Sequence, residues 1–259
     1  ILTKKDLTTD LYVMSELGEA EADLEIKDFN QKNIAAYKGT IDLNNFNLGI
    51  LAGEKMLGTT TMHLDINGKG FNKESLNTTV KGEISRLALN NYNYTNVTVD
   101  GRLKWPYFKG SVNSNDPNLL MDFDGSIDMS KRRNSFDFHA QIDYADLKML
   151  NIIKNDTLSI FKGDLMLDAT GSNLNDIAGT LQISRLSYQN SRDSYYFEDF
   201  FIESVFDEEN VRTITFNSKD IIEGSVRGKY DTKEVPRLVE NALGSLYTNY
   251  SPHKVKKGQ

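Results

Sequence analysis

Along most of this chain apolar and polar side chains alternate one by one, the pattern of a strand with one dry face and one wet face. In NVTVDGRLKW the apolar set is Val97, Val99, Leu103 and Trp105, and the polar set is Thr98, Asp100, Arg102 and Lys104. In MDFDGSIDM, Met121, Phe123, Ile127 and Met129 oppose Asp122, Asp124, Ser126 and Asp128. In FDFHAQIDY, Phe136, Phe138, Ala140, Ile142 and Tyr144 oppose Asp137, His139, Gln141 and Asp143. FKGDLMLDA keeps the phase, with Phe161, Leu165, Leu167 and Ala169 opposite Lys162, Asp164 and Asp168, and Met166 as an apolar exception on the wet side. Further strands are predicted at 24–29, 37–43, 59–66, 78–84, 179–183, 212–216 and 221–230, which makes eleven, and the whole stack is expected to hold about fourteen. In ISRLAL and ISRLSY the phase breaks, because Ile84 and Leu87 cannot face the same way on a regular strand. A bulge or turn at Ser85 and Arg86 restores the register. Helical spacing is confined to 145–153 and 234–246, where Pro236 suits a first turn and Leu238, Val239, Ala242, Leu243 and Leu246 form a stripe. Both read as short connecting helices.

The chain also resembles itself. LDINGKGFNKESLNTTVKGEISRL from Leu64 is similar to LDATGSNLNDIAGTLQISRL from Leu167, and their shared ISRL endings lie 99 residues apart, from Ile84 to Ile183. GSI at Gly125 and GSV at Gly224 repeat the same offset. An aromatic-Lys-Gly element recurs at Tyr37, Phe108 and Phe161. A long-period β repeat predicts a quasi-linear stack in which each unit extends one continuous surface. The expected divisions are 1–36, the end of a preceding β unit; 37–158, a first groove module; 159–233, a second, partly repeated module; and 234–259, a short helix with a basic tail.

Composition narrows the function classes. The chain has 259 residues, 39% apolar, with 18 Gly and only 4 Pro, which suits many strands joined by polar turns. A net charge of −7 argues against a nucleic-acid footprint, and the one basic cluster, Lys254, Lys256 and Lys257, reads as solvated tail. No Cys is present, so thiolate metal sites and Cys nucleophiles are excluded. The opening ILTKKDLTTD lacks the features of a signal peptide, and both ends suggest a piece of a longer protein.

No catalytic constellation emerges, so no enzymatic activity, metal or cofactor is expected. His63, His139 and His253 lie far apart, and no phosphate loop, nucleophile elbow or zinc signature is present. The series Asp122, Asp124, Asp128, Asp137 and Asp143 is expected to be exposed on an outer face and to bind no ion, because the calcium-loop spacing is missing. Asn-x-Thr triplets at Asn77, Asn96 and Asn155 are ordinary in an Asn-rich chain.

Three stretches carry a resemblance to a known family: YKGTIDLNNFNLG from Tyr37, LSIFKGDLMLDATGSNLNDIAGTLQISRLSYQN from Leu158, and EVPRLVENALGSLYTNY from Glu234. They look like internal modules of the TamB/AsmA-like envelope proteins, and the resemblance covers most of the chain from Tyr37 onward. It implies an all-β, elongated, taco-like groove belonging to a periplasmic protein anchored in the inner membrane. It further implies lipid transport, outer-membrane biogenesis and protein secretion as part of a translocation and assembly module. An outer-membrane barrel of the Omp85 class (TamA/BamA-like) is the implied partner, met through regions outside this segment.

The expected role is therefore an apolar groove sheltering phospholipid acyl chains. Its expected lining is Val97, Val99, Leu103, Trp105, Met121, Phe123, Ile127, Phe136, Phe138, Ile142, Phe161, Leu165, Leu167, Leu181, Ile183, Ile222 and Val226. The alternative is a structural or adhesive scaffold with a closed, self-packed core that binds proteins along its edges. A closed membrane barrel is disfavoured, since no repeated aromatic girdle is visible.

Overall fold

The computed structural model describes residues 6–218 and 222–232. Within them the chain forms fourteen strands and one short helix. The strands are β1 (Asp6–Ser15), β2 (Gly18–Lys27), β3 (Ala36–Asn47), β4 (Leu57–Lys69), β5 (Asn77–Leu89), β6 (Tyr92–Lys104) and β7 (Tyr107–Asp116). They continue as β8 (Leu119–Asp128), β9 (Asn134–Asp146), β10 (Ser159–Gly171), β11 (Ala178–Asn190), β12 (Ser194–Phe206), β13 (Arg212–Ser218) and β14 (Ile222–Gly228). Helix α1 (Leu48–Ala52) lies between β3 and β4.

Every strand pairs antiparallel with its neighbours in sequence, giving one sheet in the order β1 to β14. β1 and β14 do not pair with each other, so the sheet is open and not a barrel. Thirteen inter-strand spacings of ~4.8 Å carry it over roughly 60 Å.

Strand alternation sets what each lateral row of the sheet contains, because residues directly opposite one another share a face. One row runs Leu24, Gly39, Ile66, Val80, Gly101, Gly110, Gly125, Phe138, Leu167, Leu181, Ile202, Phe216 and Gly224. The next row on the same side runs Leu11, Ala22, Ile41, Leu64, Gly82, Val99, Val112, Phe123, Ala140, Leu165, Ile183 and Phe200. On the opposite side a row runs Thr8, Glu25, Lys38, Asn67, Thr79, Arg102, Lys109, Ser126, Asp137, Asp168, Thr180, Glu203, Thr215 and Ser225. No charged residue enters the first two rows and no apolar residue enters the third.

The phase break at Ser85 is a bulge: Thr61 and Met62 are adjacent on β4 but face Arg86 and Ile84 on β5, leaving Ser85 as the extra residue. The second ISRL behaves alike. Lys162 and Asp164 face Ser187 and Ser184, and Arg185 takes a left-handed φ of 54°.

Two expectations need correction. The spacing at 145–153 predicts a helix, but β9 runs to Asp146 and the chain then makes turns. Asp146 Oδ1 accepts from Lys148 N and Met149 N at 3.1 and 3.0 Å, and Asn151, at φ 60°, ends the turn before a second can form. Leu150, 1% exposed, anchors it. Asp128 is also not on the open surface: it is buried, because its carboxylate accepts from Ser130 N and Oγ and meets Lys131 Nζ at 3.1 Å. Asp122, Asp124, Asp137 and Asp143 are exposed. The helix expected at 234–246 lies outside the described residues.

Candidate functional site

An apolar cleft sits over β2 to β6, nearer the N-terminal end than most of the expected lining. Its volume is about 770 Å³. Its floor is the row residues Leu24, Ile41, Leu64, Ile66, Val80 and Leu103, with Tyr37 and Thr78 beside them. Leu51, Ala52, Glu54 and Leu57 flank it on one side, and Phe71, Lys73, Leu76 and Trp105 on the other.

The flanks come from opposite ends of β4. Residues 48–56 precede this strand and residues 70–76 follow it, and a thirteen-residue strand has a contour of ~40 Å. Yet Lys73 Nζ meets Glu54 Oε1 at 2.6 Å, so the two links lean toward one another over the same face. Lys73 also stands 5.9 Å from the centre of the Trp105 ring. Local chemistry holds each link. Asn47 caps α1 by accepting from Ile50 N at 3.0 Å, and Gly53, at φ 68°, ends it. Asn72 Oδ1 accepts from Ser75 N at 2.9 Å, and Tyr37 stacks on Phe71 with ring centres 5.1 Å apart.

Of the expected lining, Leu103 and Trp105 border this cleft. Most of the others continue its floor along the sheet. Val99, Phe123, Leu165 and Ile183 share one lateral row, and Phe138, Leu167 and Leu181 share the next. Leu103, Ile127, Phe136 and Val226 belong to a third row, which also includes Thr78, Ala169 and Ser204. Val97, Met121 and Ile142 lie in a fourth, joined through Ser114. Phe161 faces Ala145 and Tyr188, beside the register shift. Ile222 pairs with Ser218. Val97 and Ile183 are buried, whereas Val99, Leu103, Phe123, Phe138, Leu165 and Leu167 are half-buried.

Aromatic rings fill the sheet where it has glycines. Gly101, Gly110 and Gly125 are consecutive in one row, and Phe108, Phe123 and Phe138 lie beside them with ring centres 6.3 and 5.2 Å apart. The Phe108 ring occupies the space a Cβ on Gly101 would need, at 2.8 Å.

At the strand ends polar networks take over. Asp116, 1% exposed, accepts from Tyr92 Oη at 2.5 Å, Thr95 N at 2.8 Å, Thr95 Oγ1 at 2.9 Å and Asn118 N at 2.8 Å. Burial raises its pKa, but these four donors outweigh that and hold it below the ordinary value. Desolvation and the same carboxylate push Tyr92 up to about 12. His63 faces Asp42 at 2.6 Å, which raises the imidazole pKa. Each of these is a local tie between neighbouring strands. Among the described residues no three His, Asp or Glu side chains converge as metal ligands, and no helix is long and apolar enough to cross a membrane.

Sequence reasoning did not find the flanking residues Leu51, Glu54, Phe71 and Lys73. The links holding them lack any period, and the Glu54–Lys73 pair is visible only in three dimensions. Comparison with protein-family models, curated proteins and solved structures found no significant match.

Proposed function

We propose that this chain is a segment of an acyl-chain conduit: a groove with an apolar lining along which phospholipid tails lie while their head groups stay in water. The observation that carries the reading is the set of lateral rows. Two adjacent rows cross twelve or more strands without a charge, while the row behind them carries only polar residues. Rows on one face are ~6.6 Å apart along a strand, so three or four of them make a band wide enough for alkyl chains. Burying a chain of about sixteen carbons in such a band gains on the order of 12 kcal/mol relative to water, at ~0.8 kcal/mol per methylene. No reaction is needed for that, and the role is not enzymatic.

The half-buried state of Phe123, Phe138 and Leu165 supports an accessible lining over a filled core. The cleft over β2 to β6 is the natural holding point, where two links partly roof the floor. The resemblance to TamB/AsmA-like modules fits the same reading. On it, the segment works in the periplasm within an inner-membrane-anchored bridge, supports outer-membrane biogenesis, and meets an Omp85-class barrel through other regions.

The test is binding of a spin-labelled phosphatidylcholine to the purified protein and to two variants. Phe123→Arg should lower binding at least about tenfold while circular dichroism is retained, since a charge in an acyl path is costly to desolvate but reaches water from an open face. Asp124→Arg, on the opposite side of the same strand, should bind like the parent. A folded Phe123→Arg protein with unchanged binding would sink the conduit. Failure of Phe123→Arg to fold would point to the closed, self-packed scaffold.

A further inference from the structure

The Glu54–Lys73 pair joins parts of the chain that otherwise stay apart. Antiparallel strands in sequential order end alternately on two margins of the sheet, and residues 48–56 stand on one margin while residues 70–76 stand on the other. Apart from this pair, the hydrogen bonds of each link stay on its own margin. Met56 O accepts from Asn90 N at 2.9 Å, in the turn between β5 and β6. On the far margin Gly70 N and Phe71 N donate to Ala35 O and Lys32 O, both at 3.0 Å, and Asn72 Nδ2 donates to Asn33 Oδ1 at 2.8 Å. Two links, each anchored to its own side, therefore meet through one lysine and one glutamate across a cleft whose floor includes Leu64, Ile66 and Val80.

This crossbar is weak enough to open. The side chains of Lys73 and Glu54 are 40 and 39% exposed, and an ion pair so exposed holds its partners only loosely and is screened by salt. Its position also matters for anything that moves along the sheet. On the conduit reading, tails lie on the apolar rows and head groups stay in water, so the neck of each lipid passes between the two margins. A bar from one margin to the other lies in the path of that neck. A lipid moving from β6 toward β2 cannot pass β4 while the bar is closed.

We propose that the Glu54–Lys73 pair is a gate, which parts to let each head group by and closes behind it. Lys73 swings between Glu54 and the Trp105 ring, which stands 5.9 Å from its Nζ on the same margin, so the open state keeps a partner for the cation. This inference rests on the acyl-conduit reading and goes beyond it by placing the slow step of transit at β4.

The test locks the bar. The chain has no Cys of its own, so Glu54→Cys combined with Lys73→Cys supplies the only two thiols, one on each link. A bifunctional methanethiosulfonate bridges them and a reductant removes it. The probe is spin-labelled phosphatidylcholine, whose nitroxide quenches the single tryptophan, Trp105, on reaching the cleft. Bridging should slow quenching at least about tenfold with circular dichroism unchanged, and reductant should restore the rate. Without any bridge, Glu54→Gln should quicken quenching up to about fivefold, the range of one exposed ion pair, and Glu54→Lys combined with Lys73→Glu should return the parent rate. Equal rates in the bridged and reduced protein, or an unchanged rate in Glu54→Gln, would overturn the gate and leave the conduit standing. So would failure of the reagent to bridge the folded double variant, because the links would then not meet. Absence of quenching in the parent and in every variant would instead remove the conduit, and the gate with it.

Discussion

Asparagine and glycine hold the backbone where the strands bend or end. Asn45, Asn90, Asn91, Asn96, Asn151 and Asn210 all have φ between 47 and 61°, a region in which Asn is less strained than other side-chain-bearing residues. The aromatic-Lys-Gly element also has a backbone meaning. Gly39 and Gly110 sit at φ 147 and 155°, and a Cβ on either would fall 1.9 or 2.3 Å from a carbonyl oxygen of the preceding strand. Gly110→Ala should therefore destabilise by about 1–3 kcal/mol, measured by chemical denaturation. Asp116→Ala should cost about 1–3 kcal/mol as well, because it strands the Thr95 N–H in a buried site. His63 gives a test by titration. Its pKa is raised by the Asp42 carboxylate, so this contact contributes stability below pH 6.5, and that contribution fades as pH rises through the folded-state pKa. An NMR titration should place the His63 midpoint above 6.5, and Asp42→Asn should bring it back down. Asp128 has the opposite sign. Ser130 and Lys131 lower it to about 2, so its contribution is present above pH 3.8 and is lost as pH falls through 2.

Among the elements, what was legible in the sequence is what a period of two can encode. β6, β8, β9 and β10 stand where their alternation predicts them, and the phase break in ISRL marks the bulge at Ser85. β12 escaped, because SYYFEDFFIESVF places aromatics at adjacent positions and so shows no alternation; Tyr195 and Tyr196 are both exposed. The five residues of α1 are fewer than two turns and carry no periodic signal, and its limits come from Asn47 and Gly53. The cleft was less legible than its floor, since long-range geometry, which no local pattern records, brings Glu54 to Lys73. The bulge makes a sharp test. Deleting Ser85 would leave Ile84 and Leu87 two residues apart, so that Leu87 and Leu89 keep the apolar face on a regular strand and the bulge against β4 is no longer needed. That variant should stay folded and soluble, with a change of about 1–2 kcal/mol from the mismatch left at Asn96 on β6, and Ser85→Ala, at an exposed position, should stay within about 0.5 kcal/mol of the parent by thermal denaturation; loss of the fold on deletion would show that Ser85 does more than absorb a register mismatch.

At the scale of the whole molecule, the sequential strand order determines how stability is shared. Each strand hydrogen-bonds only to the strands before and after it, and the substantial backbone contacts are between sequence neighbours, with α1 resting on β4. Stability then approaches a sum over adjacent pairs, as in repeat proteins, and the two ends are joined only through everything between them. The pairs are also unequal. β4 to β6 are thirteen residues each and lie beneath the roofed cleft, whereas β13 and β14 have seven. Unfolding should begin in the short strands and reach the region of β4 to β6 late. The single tryptophan reports on that late region, because Trp105 follows β6 and lies beside Lys73 at the cleft. Circular dichroism instead averages over all fourteen strands. Urea denaturation followed by Trp105 fluorescence should therefore have a midpoint above that from circular dichroism, with the dichroism transition the broader. Two superimposed transitions would show one cooperative unit, and the nearest-neighbour account of this sheet would have to be abandoned.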